Sequence, residues 1–161
     1  MTRLPSLLRG AIALVAGVLF ALAAAAPAAA APVPFTVSDT GEDYCTFYEA
    51  TGEAEWPDFV VQPTVAITGK ASTTIADDRP CLDVVPFPRH VRFTAHSHDW
   101  PVAEHRVALP DTESSFAFDF ELNAEAGASI DYVTVAVCLT DDLGTGPVEV
   151  CDEPVLLQPG S

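Results

Sequence analysis

The sequence predicts an all-β fold: an antiparallel β-sandwich of immunoglobulin-like layout with about seven strands. Three observations carry this. Residues 90–97 and 115–122 alternate apolar and polar side chains with a period of two, the mark of half-buried strands. No segment sustains a helical period, and turn signals separate the β-rich runs. Cys45, Cys81, Cys138 and Cys151 all lie beyond an N-terminal export segment, even in number and suited to two disulfides.

Arg3 and Arg9 give the N-terminus a short basic start, and residues 11–26 form an uncharged run rich in Ala, Val and Leu. Ala28, Ala29 and Ala30 supply the small side chains that signal peptidase requires. Cleavage is expected after Ala30, making 1–30 a signal peptide and 31–161 a single mature domain. An uncleaved anchor would need roughly 20 strongly apolar residues, whereas this run is alanine-heavy and broken by Pro27. No cysteine follows it closely enough for a lipid anchor, and Arg3 and Arg9 are not adjacent as a twin-arginine signal requires. The expected product is secreted, with no membrane association after cleavage.

The 161-residue chain carries 7 basic and 23 acidic residues, a net charge of −16. Loss of the signal removes Arg3 and Arg9 and no acid, leaving five against 23 and a net charge of −18. Such a domain repels phosphate backbones and anionic lipid, which argues against nucleic acid and membrane as partners. An extracellular protein or a cell-surface component is the expected partner class. The acidity itself reads first as solubility outside the cell, with divalent cations or basic partners as the sharper reading.

Along the chain, residues 31–43 read as a flexible lead-in, patterned only at Phe35 and Val37. Residues 44–48 suggest a first strand carrying Cys45, and 51–58 a loop containing Gly52 and Pro57. Residues 59–68 are β-rich but interrupted by Pro63, which removes a ladder donor and suggests an edge or bulge. Residues 69–83 look polar and loop-like, with a short strand at 72–75. In 90–97, Val91, Phe93 and Ala95 share one face, and His90, Arg92, Thr94 and His96 the other. The chain turns at Asp99, Trp100 and Pro101, and 102–109 follows as a strand. In 115–122, Phe116, Phe118, Phe120 and Leu122 face one way, and Ala117, Asp119 and Glu121 the other. A small-residue loop at 123–129 leads to β-rich runs at 130–139 and 148–157.

Cys138 and Cys151 stand equally far from the centre of the Asp/Gly/Pro turn between the last two runs. In an antiparallel hairpin they face each other within disulfide reach. This assigns Cys138–Cys151 and leaves Cys45–Cys81. No C-x-x-C spacing supports thiolate zinc. The antibody-type pattern is absent, because this pairing lies within a hairpin and both tryptophans fall in predicted loops.

Four residue groups are candidates for function. His90, His96, His98 and His105 lie within sixteen positions. His96 and His98, two apart, would share a face if the strand continued, and with His90 or Asp99 they offer a Zn²⁺ or Cu²⁺ site. The competing reading is ordinary surface histidines, with His105 turned inward in phase with Val107 and Leu109. Asp39, Glu42 and Asp43 around Gly41 resemble a cation loop, but the twelve-residue spacing of an EF-hand is missing; Asp141 and Asp142 read as a turn. The segment Asp77-Asp78-Arg79-Pro80-Cys81 is a cross-linked loop of the kind protease inhibitors display, although proline after Arg79 makes a poor cleavage-site mimic. Trp56 and Trp100 are candidate aromatic anchors for a partner. No G-x-S-x-G, H-E-x-x-H or glycine-rich phosphate motif occurs, and the sequence predicts no enzyme. The expected role is therefore a binding or structural surface module, with a metal-binding protein and a protease inhibitor as alternatives.

Export and stapling make one joint prediction. Intact-mass analysis of the protein recovered from its culture medium will find a chain beginning at Ala31 that is four hydrogens lighter than its reduced form. A full-length chain with four titratable thiols would contradict it.

Overall fold

Alternation of apolar and polar side chains builds two antiparallel sheets in the computed structural model, which describes residues 31–57, 61–78, 80–84, 87–142 and 147–160. The described strands are β1 (Val33–Thr40), β2 (Thr46–Glu55), β3 (Thr64–Ile75), β4 (Arg89–Ser97), β5 (Trp100–Ala108), β6 (Ser114–Asn123), β7 (Tyr132–Asp142), β8 (Pro147–Cys151) and β9 (Val155–Leu157). The first sheet has the order β1-β2-β3-β6 and the second β5-β4-β7-β8, with β9 continuing along the β8 side of β7. The chain passes between sheets after β3, after β5 and after β6. The protein is thus an antiparallel β-sandwich that carries the disulfides Cys45–Cys81 and Cys138–Cys151.

Several boundaries differ from the sequence reading. Residues 31–43 are not a flexible lead-in: Val33, Phe35 and Val37 alternate inward and pair β1 with β2 from Val33↔Ala54 to Thr40↔Phe47. Residues 51–55 belong to β2, not to a loop, and residues 69–75 belong to one twelve-residue β3. The final run is broken into β8 and β9. Residues 51–55 and 69–75 carry Gly, Ala, Glu and Lys70, residues of weak strand propensity, and tertiary packing overrides that preference.

The reason for the small residues lies in one row across the first sheet. Phe35 pairs with Gly52, Gly52 with Gly69, and Gly69 with Phe118. A Cβ on Gly52 would lie 2.2 Å from the Thr68 carbonyl and 2.7 Å from the Phe35 ring; one on Gly69 would lie 2.5 Å from the Phe118 ring. The two outer phenylalanines therefore fold over the two central glycines. From the opposite sheet, Phe93 packs edge-on against Phe35, Phe118 and Phe120, with ring centroids at 5.6, 5.8 and 5.1 Å. Such pairs each contribute about 1 kcal/mol beyond the area they bury. Val65, Ile67, Leu122, Val91, Val133, Val135 and Leu157 complete the core around this cluster.

The hairpin disulfide forms as the turn spacing implies. Cys138 and Cys151 are register partners with Cα atoms 4.0 Å apart, the close type of antiparallel pair. Cys45, immediately ahead of β2, is bonded to Cys81 and ties the segment after β3 back to the first sheet.

Gly52→Ala is expected to destabilise the domain by about 3 kcal/mol, because the added methyl meets backbone as well as a ring. Urea unfolding will show a lower midpoint at unchanged slope. Thr36→Ala, exposed on the outer face of β1, will shift stability by no more than about 0.5 kcal/mol.

Candidate functional site

Three polar constellations stand on this frame. The first surrounds Arg89. Its position is in phase with Val91, Phe93 and Ala95, so the alternation of β4 points it inward, and its side chain is 2 % exposed. A buried guanidinium requires paired anions. Nε donates to Asp39 Oδ2 at 2.6 Å, and the two terminal nitrogens donate to both oxygens of Glu42 at 2.8 and 3.1 Å. The Phe87 and Thr40 carbonyls take further bonds, and the guanidinium carbon lies 4.7 Å over the Tyr48 ring. Burial alone would raise the Glu42 carboxyl, but the Arg89 hydrogen bonds and charge outweigh it and hold it below its ordinary value. Asp43 plays a different part. Its carboxylate accepts from the Thr46 hydroxyl at 2.6 Å and from the Cys45 and Thr46 amides, and its pKa is lowered chiefly by the Thr46 hydroxyl. The acids that resemble a cation loop in sequence are thus the counter-ions of Arg89 and the fastening of the turn before β2.

The second constellation runs across the outer face of the second sheet. Glu149 on β8 accepts from His90 Nε2 at 2.8 Å, is bonded to Arg92 Nη1, and lies 3.2 Å from Arg106 Nη2; Arg106 Nε in turn donates to Glu104 at 2.8 Å. Burial pushes the Glu149 carboxyl up, and the His90 hydrogen bond with the Arg92 and Arg106 charges carries it below its usual value. His90, Cys138 and Glu149 are the one group of three potential ligand residues that converges among the described residues. Cys138 is in a disulfide and offers no thiolate, so the group reads as a salt-bridge ladder.

The third is the loop end where the β4–β5 turn meets the segment before β7. The His98 amide donates to Asp131 Oδ2 at 2.6 Å, the Asp131 amide to the His96 carbonyl at 2.8 Å, and the Ser97 and Ser129 hydroxyls meet at 3.0 Å. The His96 ring stacks on Tyr132 with centroids 4.6 Å apart. His96 Nε2 and the Thr134 hydroxyl share a hydrogen bond of 3.0 Å, while Nδ1 is buried without a described partner. Burial lowers the imidazole below 6.5, against the raising pull of Asp99. On this fixed end Trp100 is 77 % exposed. Beside it, Pro101, Val102, Glu125 and Ala128 line a cleft of about 290 Å³. Small-molecule sites span roughly 300–1,000 Å³, so the cleft is of side-chain size.

The structure places the remaining sequence candidates as follows. His90 and His96, six residues apart on β4, are separated by about 20 Å at strand rise and cannot share an ion. His98 has φ 56°, so the turn ends the alternation that would set it beside His96. It is largely exposed, with Nδ1 3.5 Å from Asp131, and Asp99 lies in the same turn. His105, in phase with Val107, stacks on Phe120 at 4.0 Å but stays exposed. Trp56 packs against the core and is half-buried, which leaves Trp100 as the exposed tryptophan. Arg79, the side chains of Asp141 and Asp142, and the signal segment 1–30 lie outside the described residues. Sequence reasoning missed Arg89 and Glu149. Arg89 was detectable as a cation in phase with three core residues; Glu149 had no local signal. Comparison with protein-family models, with curated proteins and with solved structures gives no significant match.

Arg89→Met will cost about 3 kcal/mol at neutral pH by leaving Asp39 and Glu42 without their counter-ion. The lowered Glu42 pKa contributes stability that is fully present above its usual 4.5 and is lost as pH falls through the depressed folded value. Paired denaturation curves will therefore show the wild-type advantage at pH 7 shrinking below pH 4.5. An advantage independent of pH would contradict this account.

Proposed function

We propose that the chain is an exported, acidic β-sandwich that acts outside the cytosol as a binding or structural surface module, contacting its partner through the Trp100 loop end. The observation that carries this reading is a large exposed indole at the head of β5, beside a turn held by the Ser97, His98 and Asp131 bonds. Exposed aromatics on rigid supports supply contact area at low ordering cost, and they recur as interface anchors. The two disulfides suit an oxidising compartment. Among the described residues no helix is long and apolar enough to cross a membrane. An immunoglobulin-like layout is supported by the order β2-β3-β6 against β5-β4-β7-β8, with β1 as an added edge strand. Modules of this architecture carry recognition on their loops, although fold alone assigns no partner.

A photo-crosslinking residue at position 100, introduced in the secreting culture, will give a discrete adduct. The same residue at position 36, on the outer face of the first sheet, will give none. Absence of an adduct at position 100 would overturn the reading.

A further inference from the structure

The described sheets end in four edges, and three of them carry devices that block further pairing. β1 carries Pro34 and lies against β9. β5 carries Pro101, Arg106 and a register shift opposite Ala95 and His96. The β8–β9 edge begins at Pro147, breaks between Cys151 and Val155, and ends in a three-residue strand. Prolines, bulges, short strands, charged side chains (lysine above all) and cover by a neighbouring element are the usual protection of an edge.

β6 has no proline, no cation and no register shift; its charges are Asp119 and Glu121, and His105 of β5 stacks on its Phe120. Its ten residues, SSFAFDFELN, pair with β3 through ten consecutive partners. An edge strand turns every second N–H and C=O outward, and no backbone bond beyond the β3 ladder joins residues 114–122 to a described residue. On the inner side, Phe116 is 40 % exposed and Phe118 and Phe120 are half-buried, whereas Leu122 is buried. The apolar row is thus incompletely covered along this edge. On the outer side Asp119 and Glu121 are exposed.

We propose that the β6 edge binds an extended segment of a partner protein in which basic residues alternate with apolar ones. Paired to β6, such a segment lays its apolar side chains along Phe116, Phe118 and Phe120 and its cations opposite Asp119 and Glu121, the geometry of strand addition. A second copy of this chain is the poorer occupant, because each copy carries a formal charge of −16 even before any processing. The proposal rests on the binding-module reading but not on Trp100.

The test uses the oxidised, exported protein and the peptide acetyl-(Lys-Val)4-amide. Controls are (Glu-Val)4 and a Lys-Val peptide N-methylated at alternate residues, which keeps its charge but loses amide donors. Amide hydrogen exchange within 114–122 will slow on adding the first peptide and not on adding either control. Asp119→Lys with Glu121→Lys will weaken binding about tenfold. Glu49→Lys with Glu53→Lys, the same charge change on the exposed outer face of β2, will not. Equal binding of the N-methylated peptide, equal loss in the two double variants, or self-association through β6 in sedimentation would each overturn the proposal. If β6 exchange is unmoved while crosslinking at position 100 persists, the strand proposal falls and the module reading stands; if both fail, both fall.

Discussion

One ring, that of Phe93, sits at the centre of the contact between the two sheets. Phe93 packs edge-on against Phe35 and Phe118, whose rings fold over Gly52 and Gly69, and the registers of β1, β2, β3 and β6 all meet on that row. Because side chains in a strand alternate faces, a slip of one residue in any of those pairings would place a side chain where the rings now lie. The row therefore fixes register as well as contributing packing. It also explains why β2 is so poor in large residues on its inner side: Tyr48, Ala50, Gly52 and Ala54 shrink toward the point where rings from its neighbours fill the volume.

A domain so rich in carboxylates has few cations, and the described structure spends its arginines on internal order. Arg89 is sealed inside by Asp39 and Glu42; Arg92 and Arg106 converge with His90 on Glu149. These pairs link elements distant in sequence: β1 to β4, and β8 to both β4 and β5. Arg89, buried, replaces water as the partner of Asp39 and Glu42, while Arg92 and Arg106 meet Glu149 from the surface. The outer surface is left strongly negative, and that field extends only about 8 Å at physiological ionic strength.

Sequence patterns revealed the fold class, both disulfides and the faces of β4 and β6, because period-two alternation and turn-centred cysteine spacing are local signals. β1 was legible in principle from Val33, Phe35 and Val37, but two prolines obscured the alternation. β2 and the first half of β3 were hidden because their glycines, which normally weaken a strand, serve rings from other strands. The functional candidates were less legible for the same reason. The value of a histidine or carboxylate depends on what lies across the sheet: His90 meets Glu149, 59 residues away, and Asp39 meets Arg89, 50 residues away. The exposure of Trp100 and the burial of Trp56 were likewise decided by tertiary packing, not by neighbours in the chain.

The disulfide connectivity joins the first cysteine to the second and the third to the fourth. Of the three arrangements open to four cysteines, it is the one reached when each thiol is captured by the next to emerge. A polypeptide delivered from its N-terminus presents Cys45 and Cys81 to an oxidant well before Cys138 appears. Pairing each cysteine with the next to arrive would yield the native bridges without reshuffling.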